Sequence, residues 1–289
     1  MTKKAAHSKQ TIEIPKFIIL TGKFIAFISP KLATLYAAKL FTTPIKHKTP
    51  KREAEMNLNS IQKNIKIPEI NKEIVTYEYG TNKKKILLVH GWSGRGTQLY
   101  KIADQLVHSG YSTVSFDAPA HGKSPGNTSI MIDFIASILE IDKLHGPFEA
   151  AIGHSLGGMS ILNAIKQGLI VKNATVIGSG DIVQDIIDDF INKLKLPHKY
   201  ANSLREYFEK KYNNKMSDYS AFKAAQETQI PILVVHDNDD YEVPVQAGIH
   251  IHKNLTFGEL MLTDNLGHRK ILGNEKVIEK VITFTMQNN

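Results

Sequence analysis

Ser155 lies in Gly153-His154-Ser155-Leu156-Gly157, a serine with a glycine two residues to either side. A serine hydroxyl is a poor nucleophile at neutral pH; it needs a base to take its proton and an acid group to orient that base. The chain offers both further on. An apolar run at residues 232–235 ends in His236-Asp237-Asn238-Asp239-Asp240, and past the next apolar run Gly267-His268 delivers a histidine after a glycine turn. Asp181, just past another apolar run, is a further source of the carboxylate, so Asp181, Asp237, Asp239 and Asp240 compete for that place. A nucleophile, a carboxylate and a histidine in this chain order are suited to acyl transfer through a covalent intermediate.

Such groups need a scaffold that holds them at one edge. The apolar run at 148–152 leads into the serine, and a helix-compatible segment at 156–165 leads out of it, which predicts a strand, a sharp turn and a helix. So tight a turn needs neighbours without bulk, which the two glycines supply. The serine oxygen would then project above the sheet edge, close to a helix N-terminus whose unpaired N–H groups and dipole favour negative charge. Residues 74–79 read as an alternating strand, and further short apolar runs recur at 86–89, 113–116, 174–177, 232–235 and 260–263, with helical patterns at 97–109, 130–144, 245–253 and 275–286. That alternation is the signature of parallel βαβ units. Residues 49–73, polar and rich in Lys and Asn, predict a helix and a connection, with the sheet starting after them. Between residues 180 and 229 the chain shows helical periodicity (Ile182, Ile186, Phe190; Leu204, Tyr207, Phe208) over a length no ordinary connection needs. This predicts an inserted helical lid over the site.

A chain of 289 residues with 42% hydrophobic content suffices for one large α/β domain with an insertion. The absence of cysteine excludes disulfides, zinc–thiolate sites and cysteine nucleophiles. The net charge of +8 is unevenly placed: residues 1–72 hold 14 Lys/Arg against 4 Asp/Glu, a net of +10, and the remainder is −2. The basicity therefore belongs to the N-terminal part, and the catalytic region carries no nucleic-acid-binding pattern. Residues 1–10 are polar and expected to be mobile. Residues 17–41 are apolar but interrupted by Lys23, Pro30, Lys31 and Lys39, a poor transmembrane span and a poor signal peptide. Ser29-Pro30 reads as an N-cap followed by proline at the first helical position, which predicts two short amphipathic helices. Two placements stay open for them: against the main body, or on an anionic membrane surface.

Beside the Ser155 turn stand His90-Gly91-Trp92 after the 86–89 run, Asp117 with His121-Gly122 and Ser124 after the next, Asp240 with Val243-Pro244, and Gly267-His268. In this order and spacing they resemble, over residues 85–284, a bacterial esterase/lipase-like serine hydrolase of the α/β-hydrolase superfamily. The resemblance implies that Ser155 is the nucleophile, His268 the general base and acid, and Asp240 the orienting carboxylate, favoured by its spacing to Val243-Pro244. It also implies an oxyanion hole made by the backbone N–H groups of Trp92 and Leu156. Trp92, His154, Ile186, Phe190 and Tyr207 are expected to contact substrate. Asp117 and His121 read as turn-forming residues, Arg269 and Lys270 as a solvated pair. His250 and His252 form His-x-His without further ligands and read as helix surface, so no metal is expected.

The expected architecture is an α/β-hydrolase fold, a mostly parallel central sheet flanked by helices, with a helical lid insertion. Residues 1–50 would form a basic, partly apolar helical extension, 51–180 and 230–289 the two parts of the core, and 181–229 the lid. The expected activity is hydrolysis of a small-molecule carboxylic ester, without cofactor or nucleic-acid partner, in the cytoplasm or peripherally at the inner membrane. A lysophospholipase, monoacylglycerol lipase or thioesterase at a membrane surface is one alternative. A non-catalytic homologue that holds a hydrophobic ligand is the other, although it would not need all three residue types.

Overall fold

The computed structural model describes residues 14–288. Residues 1–10, expected to be mobile, lie outside them.

Two helices open the described chain, α1 (Lys16–Ile28) and α2 (Pro30–Phe41). They part at Ser29, whose Oγ accepts the Leu32 N–H at 3.4 Å, with Pro30 in the first helical position. After the short α3 (Ala54–Asn59) come β1 (Ile61–Ile67), β2 (Lys72–Tyr79), β3 (Lys85–Val89), α4 (Tyr100–His108) and β4 (Ser112–Asp117). Next follow α5 (Met131–His145), β5 (Ala150–His154), α6 (Leu156–Lys166) and β6 (Asn173–Ile177). The long stretch between the sixth and seventh strands folds as α7 (Val183–Lys193), α8 (Lys199–Tyr212) and α9 (Ala221–Glu227). The chain ends with β7 (Ile232–Asp237), α10 (Val245–Lys253), β8 (Gly258–Thr263), α11 (Gly267–Lys270) and α12 (Glu275–Gln287).

The strands form one eight-stranded sheet in the order β1-β2-β4-β3-β5-β6-β7-β8. β1 and β2 run antiparallel to their neighbours and every other pair is parallel. Residues 61–67 are thus a strand, where composition predicted a connection. The reason lies in its edge position. Ile67 is buried and Ile61 exposed, so one paired side and two lysines, Lys63 and Lys66, leave little apolar signal to read.

The central strands are buried on both faces, as a parallel sheet between helices requires. Leu87 and Val89 of β3 face the layer that holds α5, α6, α7 and α8. Ile86 and Leu88 face the opposite layer, where Ile102 and Leu106 of α4 meet Val277 and Val281 of α12. The period of two thus sorts adjacent residues into two cores. α2 buries Ala33, Ala37 and Ala38 in the first core, and its last residue Phe41 packs edge-on against Phe190 of α7 at 5.1 Å and beside Phe208 of α8 at 5.6 Å. Among the described residues no helix is long and apolar enough to cross a membrane.

Candidate active site

Ser155 has φ 53° and ψ −121°, a left-handed conformation that costs a non-glycine residue on the order of 1–3 kcal/mol. Its N–H donates to the Ile177 carbonyl at 2.9 Å, continuing the β5–β6 ladder past the His154↔Ile177 pair. The two glycines permit this turn. A Cβ on Gly153 would lie 2.6 Å from the carbonyl carbon of Gly157, and one on Gly157 would run into the backbone oxygens of Val89 and His90.

The loop after β3 is held beside the elbow by buried polar contacts. His90 Nδ1 donates to the Gly91 carbonyl at 2.6 Å and its Nε2 accepts the Ala118 N–H at 3.0 Å. Burial pushes the His90 imidazole down to about 4, against the pull of the Gly91 carbonyl, so the ring is neutral and fixed in one tautomer. Asp117 accepts the Gly96 N–H at 2.6 Å, the Lys123 N–H at 2.7 Å and the Tyr77 hydroxyl at 2.8 Å. Its role is to fasten loops. His121 donates to the Pro119 carbonyl at 3.0 Å and stacks edge-on with Trp92. Arg95 reaches both oxygens of the buried Glu53 at 2.9 Å, tying this loop to the segment before α3.

The four competing carboxylates separate in space. Asp240 Oδ2 lies 2.7 Å from His268 Nδ1, while its Oδ1 accepts the N–H groups of Glu242 and Val243, both at 2.9 Å. Burial alone would raise the Asp240 carboxyl, but hydrogen bonds from His236 and His268, the His268 charge and the Val243 N–H outweigh it and hold the group well below the usual carboxylate range. Asp237 instead gathers the loops. Its Oδ1 accepts from Asp239 N at 3.0 Å and Gly267 N at 2.9 Å, its Oδ2 from the Thr263 hydroxyl at 2.7 Å and Leu266 N at 3.1 Å. Asp239 accepts the Asn265 N–H at 2.8 Å. Asp181 accepts the Phe222 N–H at 2.8 Å and lies 2.5 Å from His250 Nδ1. Only Asp240, of these four, bonds the His268 ring.

Ser155 lies on a cavity of about 770 Å³ whose wall includes residues of α6, α7 and α8. Trp92, Leu156, Ile186 and Phe190 line it with Ser155. His154 and Tyr207 do not: His154 is buried, with its ring 4.6 Å from that of His268, and Tyr207 packs on Phe208 at 5.3 Å. Two wall features had no signal at the level of sequence. Leu40 and Phe41 reach the cavity from the far N-terminal end of the chain, and His250 lines it while paired with Asp181. Periodicity marks Phe41 as apolar but names no partner, and the Asp181–His250 pair spans 69 residues. His252 points elsewhere, toward the Gly258 carbonyl at 3.3 Å. Among the described residues no group of His, Asp and Glu is arranged to hold a metal ion.

Residues 86–272 match the model of the alpha/beta hydrolase family. The chain belongs to that family. Its fold is shared by a candidate lipase from Acinetobacter baumannii, with a TM-score of 0.62 and 19% identity, covering 82% of this chain and 94% of that one. An esterase from Exiguobacterium antarcticum superposes with a TM-score of 0.62 at 16% identity, covering 78% of this chain and all of its own. A monoacylglycerol lipase from Paleococcus ferrophilus gives 0.59 at 15% identity, over 75% and 99% of the two chains. At such identities the likeness establishes the fold of this alpha/beta hydrolase, and substrate must be argued from its own cavity. No curated protein matches the sequence.

Proposed function

We propose that the protein is a serine carboxylic-ester hydrolase working through an acyl-enzyme on Ser155. The observation that carries this reading is the hydrogen-bonded Asp240–His268 pair, in the loops that follow β7 and β8, together with a strained elbow serine that opens on an apolar cavity. With Nδ1–H donated to Asp240, His268 keeps Nε2 as the atom that takes the Ser155 proton. Ser155 Oγ attacks the acyl carbonyl, the tetrahedral oxyanion is held by the N–H groups of Trp92 and Leu156, and the protonated imidazole returns its proton to the leaving alcohol. Water, deprotonated by the same nitrogen, then releases the acid. Leu156 is the first residue of α6, where backbone N–H groups have no partner within the helix.

The cavity wall supports an apolar acyl group. Met159, Ile187, Phe190 and Phe41 present carbon surface, so an aliphatic ester or thioester fits better than a charged one. In this reading α7–α9 act as the lid that sets acyl length. Labelling with a fluorophosphonate probe tests the nucleophile: the wild type should label and hydrolyse p-nitrophenyl esters, and Ser155→Ala should do neither. Labelling of the alanine variant at the wild-type rate would sink the assignment. A wild type that binds fatty acid yet never turns over an ester would make the protein a carrier.

A further inference from the structure

We propose that the outer face of the α1–α2 hairpin is a docking surface for an anionic lipid bilayer, and that it sets the cavity at that surface. The inner face of the hairpin is accounted for. Gly22 lies under the Tyr36 ring, Tyr36 donates its hydroxyl to the Ile18 carbonyl at 3.0 Å, and the Tyr200 hydroxyl of α8 reaches the Ala26 carbonyl at 3.4 Å.

Among the described residues the outer face has no such partners. Phe27 is 90% exposed, and Phe17, Leu20, Phe24 and Ile28 are each exposed by 60% or more. At about 100° per residue these five side chains fall within an arc of about 100°, so they form one stripe rather than scattered surface residues. On α2, Leu32 and Leu35 extend the exposed apolar surface. Single exposed apolar residues are ordinary, whereas a contiguous patch of this kind marks an interaction site.

Charge narrows the partner. Residues 14–52 hold eight Lys/Arg and no Asp or Glu. Lys16 and Lys23 fall along one border of the α1 stripe, and Lys31 and Lys39 are exposed on α2 with Leu32 and Leu35. Apolar side chains bordered by lysines suit a helix lying in the interface of an anionic membrane: the rings enter the acyl boundary and the ammonium groups meet the phosphates. Continuity with the cavity adds the second reason. Leu40 and Phe41, at the end of the same hairpin, line the cavity on which Ser155 lies, so a docked hairpin joins the lipid surface to the cavity wall.

The test needs no catalysis and stands whether or not Ser155 is the nucleophile. The full chain is sedimented with vesicles of pure phosphatidylcholine, and of phosphatidylcholine with about 30% phosphatidylglycerol, from about 0.1 to 1 M salt. The wild type should pellet with the anionic vesicles at low salt and dissociate as salt rises. Phe24→Ser with Phe27→Ser, and separately Gln at Lys16, Lys23, Lys31 and Lys39, should each weaken binding by tenfold or more at unchanged Tm. Failure of the wild type to pellet, equal pelleting with neutral vesicles, or unchanged binding by both variants overturns the proposal. A dimer in solution that Phe24→Ser with Phe27→Ser dissociates would assign the stripe to a second copy of the chain and overturn it equally.

Discussion

His154 Nε2 donates to the backbone carbonyl of His268 across 2.9 Å, so the residue before the elbow serine grips the residue that carries the proposed base. Burial, and next the nearby His268, push the His154 imidazole down to about 3, which leaves it neutral and its tautomer set by that bond. The side chain expected to meet substrate is instead buried under His268, away from the cavity, a place suited to positioning the proposed base. His154→Leu removes the donor while keeping bulk and should lower kcat by about 10–100-fold with little change in KM. His154→Gln, which retains a donor, should recover part of the loss. Steady-state kinetics on p-nitrophenyl butyrate decide it, and a change confined to KM would return His154 to the substrate.

Asp240 and Asp181 each bond a histidine, and only the first bonds the proposed base. Asp240→Asn should lower kcat by about 10³–10⁴-fold, since the amide cannot hold the imidazole in the working tautomer. Asp181→Asn should cost less than about tenfold, because its remaining oxygen still accepts the Phe222 N–H. A collapse in the second variant alone would move the carboxylate to Asp181. Because Asp240 is held below the usual range, its contribution is present above the unfolded carboxylate value and is lost only as pH falls through the depressed one.

Asp237 accepts from two backbone groups and a hydroxyl on the β8 side as well as from Asp239 N. An asparagine offers one acceptor oxygen where the carboxylate has two, so Asp237→Asn should destabilise the fold by about 2–4 kcal/mol. Urea denaturation measures this. Stability within about 0.5 kcal/mol of wild type would mean that the loops hold themselves.

His121 is pushed down to about 3, first by burial and then by the neighbouring His90. The unfolded histidine titrates near 6.5, so as pH falls below that value the unfolded state takes up a proton the folded ring refuses, and stability drops. From pH 6.5 to 5 this site costs up to about 2 kcal/mol. His121→Asn can still donate to the Pro119 carbonyl and should flatten the pH dependence by a comparable amount, whatever its effect at pH 7. Parallel unfolding curves for the two proteins across that window would remove His121 from the acid response.

The elbow and the parallel strands were legible because they are local. Glycine spacing around Ser155 states a steric requirement, and doubly buried strands read as unbroken apolar runs. That Asp240, of four aspartates, is the one that bonds His268 depends on which loop folds over which, and only the resemblance and the spacing to Val243-Pro244 favour it in the sequence. β1 was hidden by its edge position. The cavity wall was least legible: Phe41 and His250 reach it through contacts far apart in sequence, while Tyr207, whose periodicity matched that of Phe190, turns to Phe208 instead.

Phe41 ends the hairpin and stands between Phe190 and Phe208 as part of the cavity wall. The leading segment, which composition alone would invite an experimenter to trim for expression, is therefore structural to the pocket. A shortened protein lacking it would expose Phe190 and Phe208 and report the selectivity of an altered chamber. Inhibitor screens and substrate profiles taken on such a truncation would describe a different enzyme.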